Sequence, residues 1–262
     1  MNRLSVLAAT ILLAYAAMPF IQLPPREVGF QLPGVYVSVV LNFATITSIL
    51  AAVMAAFGAD WLARGHPLYS QTRNWRQWLL PGLTAWVLGV PLSTLEVGLE
   101  WWAVFGLGGL LLVLVFVAEY ITLDSNDLRH APATIGLTAV GFALFLVLAI
   151  ALKASGQRLF LEIPALILAV FLVTMRSMYL RLGGRLTLIW PVVIAVFIGQ
   201  MAAGLHYWPL SPLQHGMVLL AAAYALTSLV GAIAEERPLR SAIIEPAIML
   251  VVLWGLAALL GR

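Results

Sequence analysis

Eleven carboxylates, fourteen lysines and arginines and four histidines serve the whole 262-residue chain. Any of them inside an apolar stretch therefore stands out. Ionisable groups at membrane depth are costly, and a chain keeps them for pairing or for chemistry. Glu245 is the sharpest case. It lies about two helical turns inside the last apolar stretch, at about 1.5 Å rise per residue, and precedes Pro246. Asp60, Glu119 and Arg176 fall near the same end of their own stretches. One reading is a structural ion-pair network, with Arg176 placed on Glu245. The other is a proton or substrate relay facing a cytoplasmic vestibule. The structural reading leads, because such residues must find partners in either case.

A second polar set falls toward the opposite ends of the apolar stretches. Ser38, Asn42 and Thr45 follow the i, i+4, i+7 spacing of one helix face. Gln200 and His206 share one stretch, and Lys153 and Glu162 close two others. Together they would line a pocket open to the exterior. The simpler expectation is that Asn42 and Gln200 hydrogen-bond across helices, a packing role contributing under ~2 kcal/mol each. Glu96 and Glu100 read as solvated loop residues.

Most other chemistries fail for want of residues. The histidines (His66, His130, His206, His215) are scattered, and no two share a helix at metal-ligand spacing. The facing pair that a b-type haem needs is missing. Without Cys there are no disulfides, thiolate sites or Cys nucleophiles. No Gly-rich phosphate loop follows a predicted strand, and the one lysine, Lys153, closes a stretch instead of occupying its middle. No metal and no cofactor is expected. Glu235-Glu236-Arg237-Pro238-Leu239-Arg240 resembles the EExxxR element of the membrane-embedded CAAX-protease-like family, in which the glutamates serve a hydrolytic water. That family needs two further histidine-bearing helical motifs, and no His follows His215. An intramembrane hydrolase is accordingly the remotest alternative, and a short acidic-basic loop at a helix junction explains the motif better.

The elements that must position these groups are set by composition. Apolar residues make up 63% of the chain and charged residues 10%. Soluble domains run near 45–50% and about 25%, so too few charges remain to cover a surface in water. The expected fold is all-α, a polytopic membrane bundle of about nine spanning helices. Segments near the ~20 residues that a ~30 Å core requires run over 4–23, 35–62, 78–95, 101–123, 133–155, 159–180, 186–207, 213–234 and 239–260. The third is shortest and contains Pro81, Gly89 and Pro91, so a kink or break is expected there. Arg3 followed by an apolar run and Ala14-Tyr15-Ala16 mimics a signal peptide, but the run is long enough to span. An uncleaved first helix is expected.

Orientation follows from the basic residues. With the N-terminus in the cytoplasm, ten of them fall inside (Arg3, Arg64, Arg73, Arg76, Arg129, Arg176, Arg181, Arg185, Arg237, Arg240). Four fall outside (Arg26, Lys153, Arg158, Arg262). That bias places the chain in the cell (inner) membrane with its C-terminus external. Tyrosines and tryptophans mark both interfaces. All connections are short, so no separate soluble domain fits, and no basic face suggests nucleic acid. The expected partners are the lipid bilayer and other membrane proteins.

The spacing from Pro81 to Gly89 equals that from Pro191 to Gly199, and each Pro follows shortly after a Trp. This suggests one leading helix and two parallel four-helix repeats, 35–155 and 159–262, within a single transmembrane domain. Two functional classes then survive. The favoured one is a membrane-embedded subunit or scaffold of a multiprotein complex, with a variant in which a quinone or another apolar molecule sits between helices. The alternative is a small transporter or permease whose site is lined by the outer-half polar residues. A water-accessible cavity reaching Asn42 and Gln200, or Glu245, would favour transport; a sealed bundle would favour the subunit.

Overall fold

The computed structural model describes residues 2–21, 24, 26–32, 35–67, 69, 75–124, 126–156, 158–183 and 188–260. Arg73, Arg185 and Arg262, counted above for orientation, lie outside the described residues. The protein is an all-α membrane bundle with one short hairpin. Among the described residues there are nine α-helices, and eight segments are long and apolar enough to cross a bilayer. Backbone contacts divide the chain into two compact units, 1–123 and 124–262.

The first unit runs α1 (Asn2–Ala16), β1 (Arg26–Leu32), β2 (Val35–Leu41), α2 (Phe43–Ala63), α3 (Leu79–Thr94) and α4 (Leu99–Ile121). The expected helix over 35–62 is corrected here. Its first seven residues pair antiparallel with β1, Leu32 opposite Val35 and Gly29 opposite Ser38. The stretch VYVSVVL is β-branched and aromatic, which suits a pleated strand. A short apolar run does not by itself separate strand from helix. The chain turns helical after Asn42, which caps α2: its Oδ1 accepts from the Thr45 backbone N–H and from the Thr45 hydroxyl, each at 2.7 Å. The Ser38–Asn42–Thr45 helical face therefore does not exist.

Nor is α3 broken. Pro81 occupies its first turn, where the missing N–H would be unpaired anyway, and the helix continues through Pro91. Its 16 residues cover about 24 Å, short of a ~30 Å core. Among the described residues α3 is the helix outside the eight spans, whereas the shorter α1 belongs to an apolar span that continues to Phe20. The Trp101 indole closes the end of α3 by donating to the Leu92 carbonyl at 3.1 Å. Tyr15 donates its hydroxyl to the Ala85 carbonyl from α1. Ile11, Tyr15, Ala51, Ala55, Ala85, Leu112 and Phe116 form the core of this unit.

The second unit is α5 (His130–Ala154), α6 (Leu159–Arg181), α7 (Ile189–His206), α8 (Pro212–Ala234) and α9 (Leu239–Leu259). The central helix is α8, which packs on α5, α6, α7 and α9. Small residues allow it: Ala221, Ala222 and Ala223 are all buried. A Cβ on Gly216 would lie 2.8 Å from Ile150, so α5 and α8 approach to a distance only glycine permits. Helix α8 starts in a full capping box, Ser211 and Gln214 exchanging side-chain and backbone bonds. It stops in a Schellman turn. There Arg237 N–H reaches the Ala232 carbonyl at 3.1 Å, Glu236 N–H reaches Ile233 at 3.0 Å, and Glu236 itself takes φ 59°. Packing unites α5 with the helices after it. Sequence repetition over 35–155 and 159–262 is a separate property, which contacts do not test.

Candidate functional site

Two polar constellations lie at opposite ends of the second unit, both built on α8. The first is a cavity of about 600 Å³, in the size range of small-molecule sites. Helix α5 supplies Thr138 and Phe142, α6 supplies Met178 and Arg181, and α9 supplies Glu245 and Met249. Tyr224 and Ser228 of α8 form its back wall. On α5 the lining runs from Thr134 to Leu146, about 18 Å at helical rise and hence more than half of a ~30 Å core. Its walls are overwhelmingly apolar, with few convergent polar atoms.

Those few are well placed. Glu245 projects into the cavity from α9 and accepts from the Tyr224 hydroxyl at 2.7 Å. Tyr224 is held edge-on against Phe142, ring centroids 5.3 Å apart. Arg181 closes the end of the cavity where α6 finishes. It donates to Glu235 at 2.5 and 3.3 Å and to the Ser228 carbonyl at 3.2 Å. Gly231 makes room for it, since a Cβ there would stand 2.9 Å from Arg181 Nη1. Arg237 adds a second cation to Glu235 at 2.7 Å. Hydrogen bonding from Arg181, helped by the charges of Arg181 and Arg237, holds the Glu235 carboxyl below its usual range and outweighs the opposing desolvation. The Arg181 charge is thus answered by Glu235, while among the described residues the partner of the Glu245 carboxylate is a neutral phenol.

The second constellation joins α5, α6, α7 and α8 at their other ends. Glu162, 1% exposed, is approached by His206 Nδ1 at Oε2, 2.5 Å, and by His215 Nε2 at Oε1, 3.2 Å. Lys153 Nζ donates to the His206 carbonyl at 2.7 Å. That carbonyl is one of those left open at a helix C-terminus, where a cation is also favoured by the helix dipole. The two rings face different oxygens of one carboxylate, so the donors straddle it instead of converging on a point. Among the described residues no group of three His, Asp or Glu is arranged to hold a metal.

A family model for a protein of unknown function, DUF5656, matches residues 23–260. The chain belongs to the DUF5656 family. No curated protein and no solved structure matches it.

In this DUF5656 chain the remaining predicted residues take individual places. Asn42 is spent on capping α2, as above, and Gln200 is exposed on α7. The proposed Arg176–Glu245 pair is not formed, because Tyr224 is the partner of Glu245. Arg176 is 2% exposed and lies over the Tyr179 ring at 5.4 Å. In the first unit Asp60 is buried and accepts from Arg64 at 2.7 and 3.0 Å and from the Tyr69 hydroxyl at 3.0 Å. Its hydrogen bonds, then its charge, raise the pKa of the exposed Arg64 guanidinium. Glu119 is buried beside a void of about 10 Å³ lined also by Gln77, Phe116 and Tyr120, room for about one water.

Of the polar set expected to line one outer pocket, Lys153, Glu162 and His206 meet one another, joined by His215, which that set did not include. The signal was its position, one residue beyond the capping box of α8 and at the same membrane depth as His206. Reading the four histidines for pairs within a helix overlooked it. Glu235 and Glu236, which resembled a hydrolase element, are used in terminating α8 and in holding Arg181.

Proposed function

We propose that this DUF5656 chain is a small transporter or permease of the cell membrane, and that its ligand occupies the cavity of the second unit. One observation carries the reading: the cavity runs from Arg181 past Glu245 to mid-helix depth. Sealed packing would be expected of a purely structural subunit, and a cavity with one underbalanced carboxylate is expected of a binding site. The basic-residue bias puts the Arg181 end in the cytoplasm, with the N-terminus cytoplasmic and the C-terminus external. Apolar walls around Glu245 suit an amphiphile with a cationic or amine head, because its charge would replace water at the carboxylate.

The subunit or scaffold reading draws on exposed apolar faces, such as Ile244, Ile248 and Val251 of α9. Lipid covers such faces equally well, so they do not favour a protein partner. Native mass spectrometry of the detergent-extracted protein separates the two readings, since a stoichiometric co-purifying chain would support the subunit. The direct test is binding of tritiated tetraphenylphosphonium to the purified protein, with ethidium uptake into proteoliposomes as the transport arm. Saturable binding should weaken about tenfold or more in Glu245→Gln, a loss of about 1.4 kcal/mol. It should also weaken in Met249→Trp, which sets a larger, rigid ring into the cavity beside Glu245. Equal binding by all three proteins, or none by the wild type, would overturn the assignment.

A further inference from the structure

The Glu162 constellation is built more elaborately than helix packing requires. A carboxylate in the first turn of α6 and a histidine in the last turn of α7 complement the helix dipoles. That accounts for Glu162 and His206 but not for His215. The His215 side chain is 0% exposed, and among the described residues neither of its ring nitrogens has a hydrogen-bond partner. Glu162 Oε1, the oxygen facing it at 3.2 Å, is also without one. A buried acceptor and a buried imidazole left facing each other are costly. One proton between them would satisfy both at once. Beyond them the charged or titratable groups from the packed elements are Lys153 of α5 and His206 of α7, with the Tyr207 ring edge-on to His206 at 5.1 Å. Arg158 precedes α6 with an exposed side chain.

We propose that His206, Glu162 and His215 form a proton-binding relay, loaded through the part-exposed His206 and delivering to the buried His215. The steps balance. A proton arriving at His206 Nε2 is matched by departure of the Nδ1 proton to Glu162 Oε2, which leaves the ring neutral with its tautomer exchanged. A half-turn of the carboxyl group about Cγ–Cδ then brings the protonated oxygen to face His215, whose Nε2 takes the proton while the ring keeps its other proton on Nδ1, and Glu162 is again a carboxylate. The bound state is an imidazolium beside a carboxylate, which is neutral as a pair and so removes an uncompensated buried charge. Lys153 sits one contact away and limits the site to a single added proton by like-charge repulsion. Since His215 lies on α8, which also walls the ligand cavity, a proton gradient would act on this unit here. The relay itself does not depend on the cavity having a ligand.

The test uses the full chain in detergent micelles with ¹⁵N-labelled histidine, following each imidazole from pH 4 to 9. His66 and His130 are internal controls. The relay predicts that His206 and His215 titrate interdependently, and that Glu162→Gln lowers the proton affinity of both at least tenfold, one pH unit, while the controls stay put. Should that variant fail to fold, His206→Gln tests the entry route, and proton exchange at His215 should slow about tenfold or more. Independent titration of the two rings, or unchanged His215 behaviour in both variants, would overturn the relay. So would one equivalent of Zn²⁺ moving both ring signals together, which would make the triad a metal site.

Discussion

Glu236 is the described non-glycine residue with positive φ, at 59°, and the Schellman turn ending α8 requires that conformation. For an L-residue the left-handed region costs about 1–2 kcal/mol. Replacement by glycine removes that cost but returns about 0.5–1 kcal/mol through the freer unfolded chain. Glu236 is exposed, and no ion pair holds its carboxylate among the described residues, so little else is lost. Glu236→Gly should therefore stabilise the protein by about 0.5–1 kcal/mol, while Glu236→Ala, which keeps the Cβ, should be neutral. At about 2–4 °C per kcal/mol for a chain of this size, glycine should raise the melting temperature by about 1–4 °C, read by tryptophan fluorescence in detergent. The pair also discriminates turn from chemistry, because a glutamate serving a hydrolytic water would not tolerate glycine. Destabilisation by both substitutions would refute the reasoning and point to a carboxylate contact.

The Glu235–Arg181 pair gives a pH dependence of definite sign. The carboxyl is held below its usual range in the folded state, so its stabilisation is fully present above the ordinary carboxylate value and is lost as pH falls through the depressed one. The melting-temperature gap between wild type and Glu235→Gln should be constant from pH 8 to 6 and close below pH 4; a gap that widened in acid would contradict the pairing. Gly199 tests the packing of α6 on α7, since a Cβ there would lie 2.5 Å from Ile167 Cδ1. Gly199→Ala should destabilise by about 1–3 kcal/mol, and adding Ile167→Val should recover part of the loss; an unchanged melting temperature for the single variant would show slack that the structure does not contain.

The legible part of the fold was the part governed by solvent. The seven helices from α3 onward follow from apolar length, which is a local property of each stretch. The misread segment, 35–41, is apolar with no helical or alternating period strong enough to decide it, and pairing with β1 settled it as strand. Asn42 shows the same limit, since the residue expected to bridge helices is consumed by the cap of the helix it starts.

Composition by itself determined that this chain dissolves in lipid, because 10% charged residues cannot cover a water-facing surface. It also determined which few polar groups had to be explained. Tertiary structure alone decided whom they meet. Glu162 finds His206 across 44 residues of sequence, and Tyr224 takes Glu245 in place of Arg176. Those outcomes rest on the rotation of each helix about its own axis, and in a helix that is apolar all round no periodicity in the sequence records that rotation.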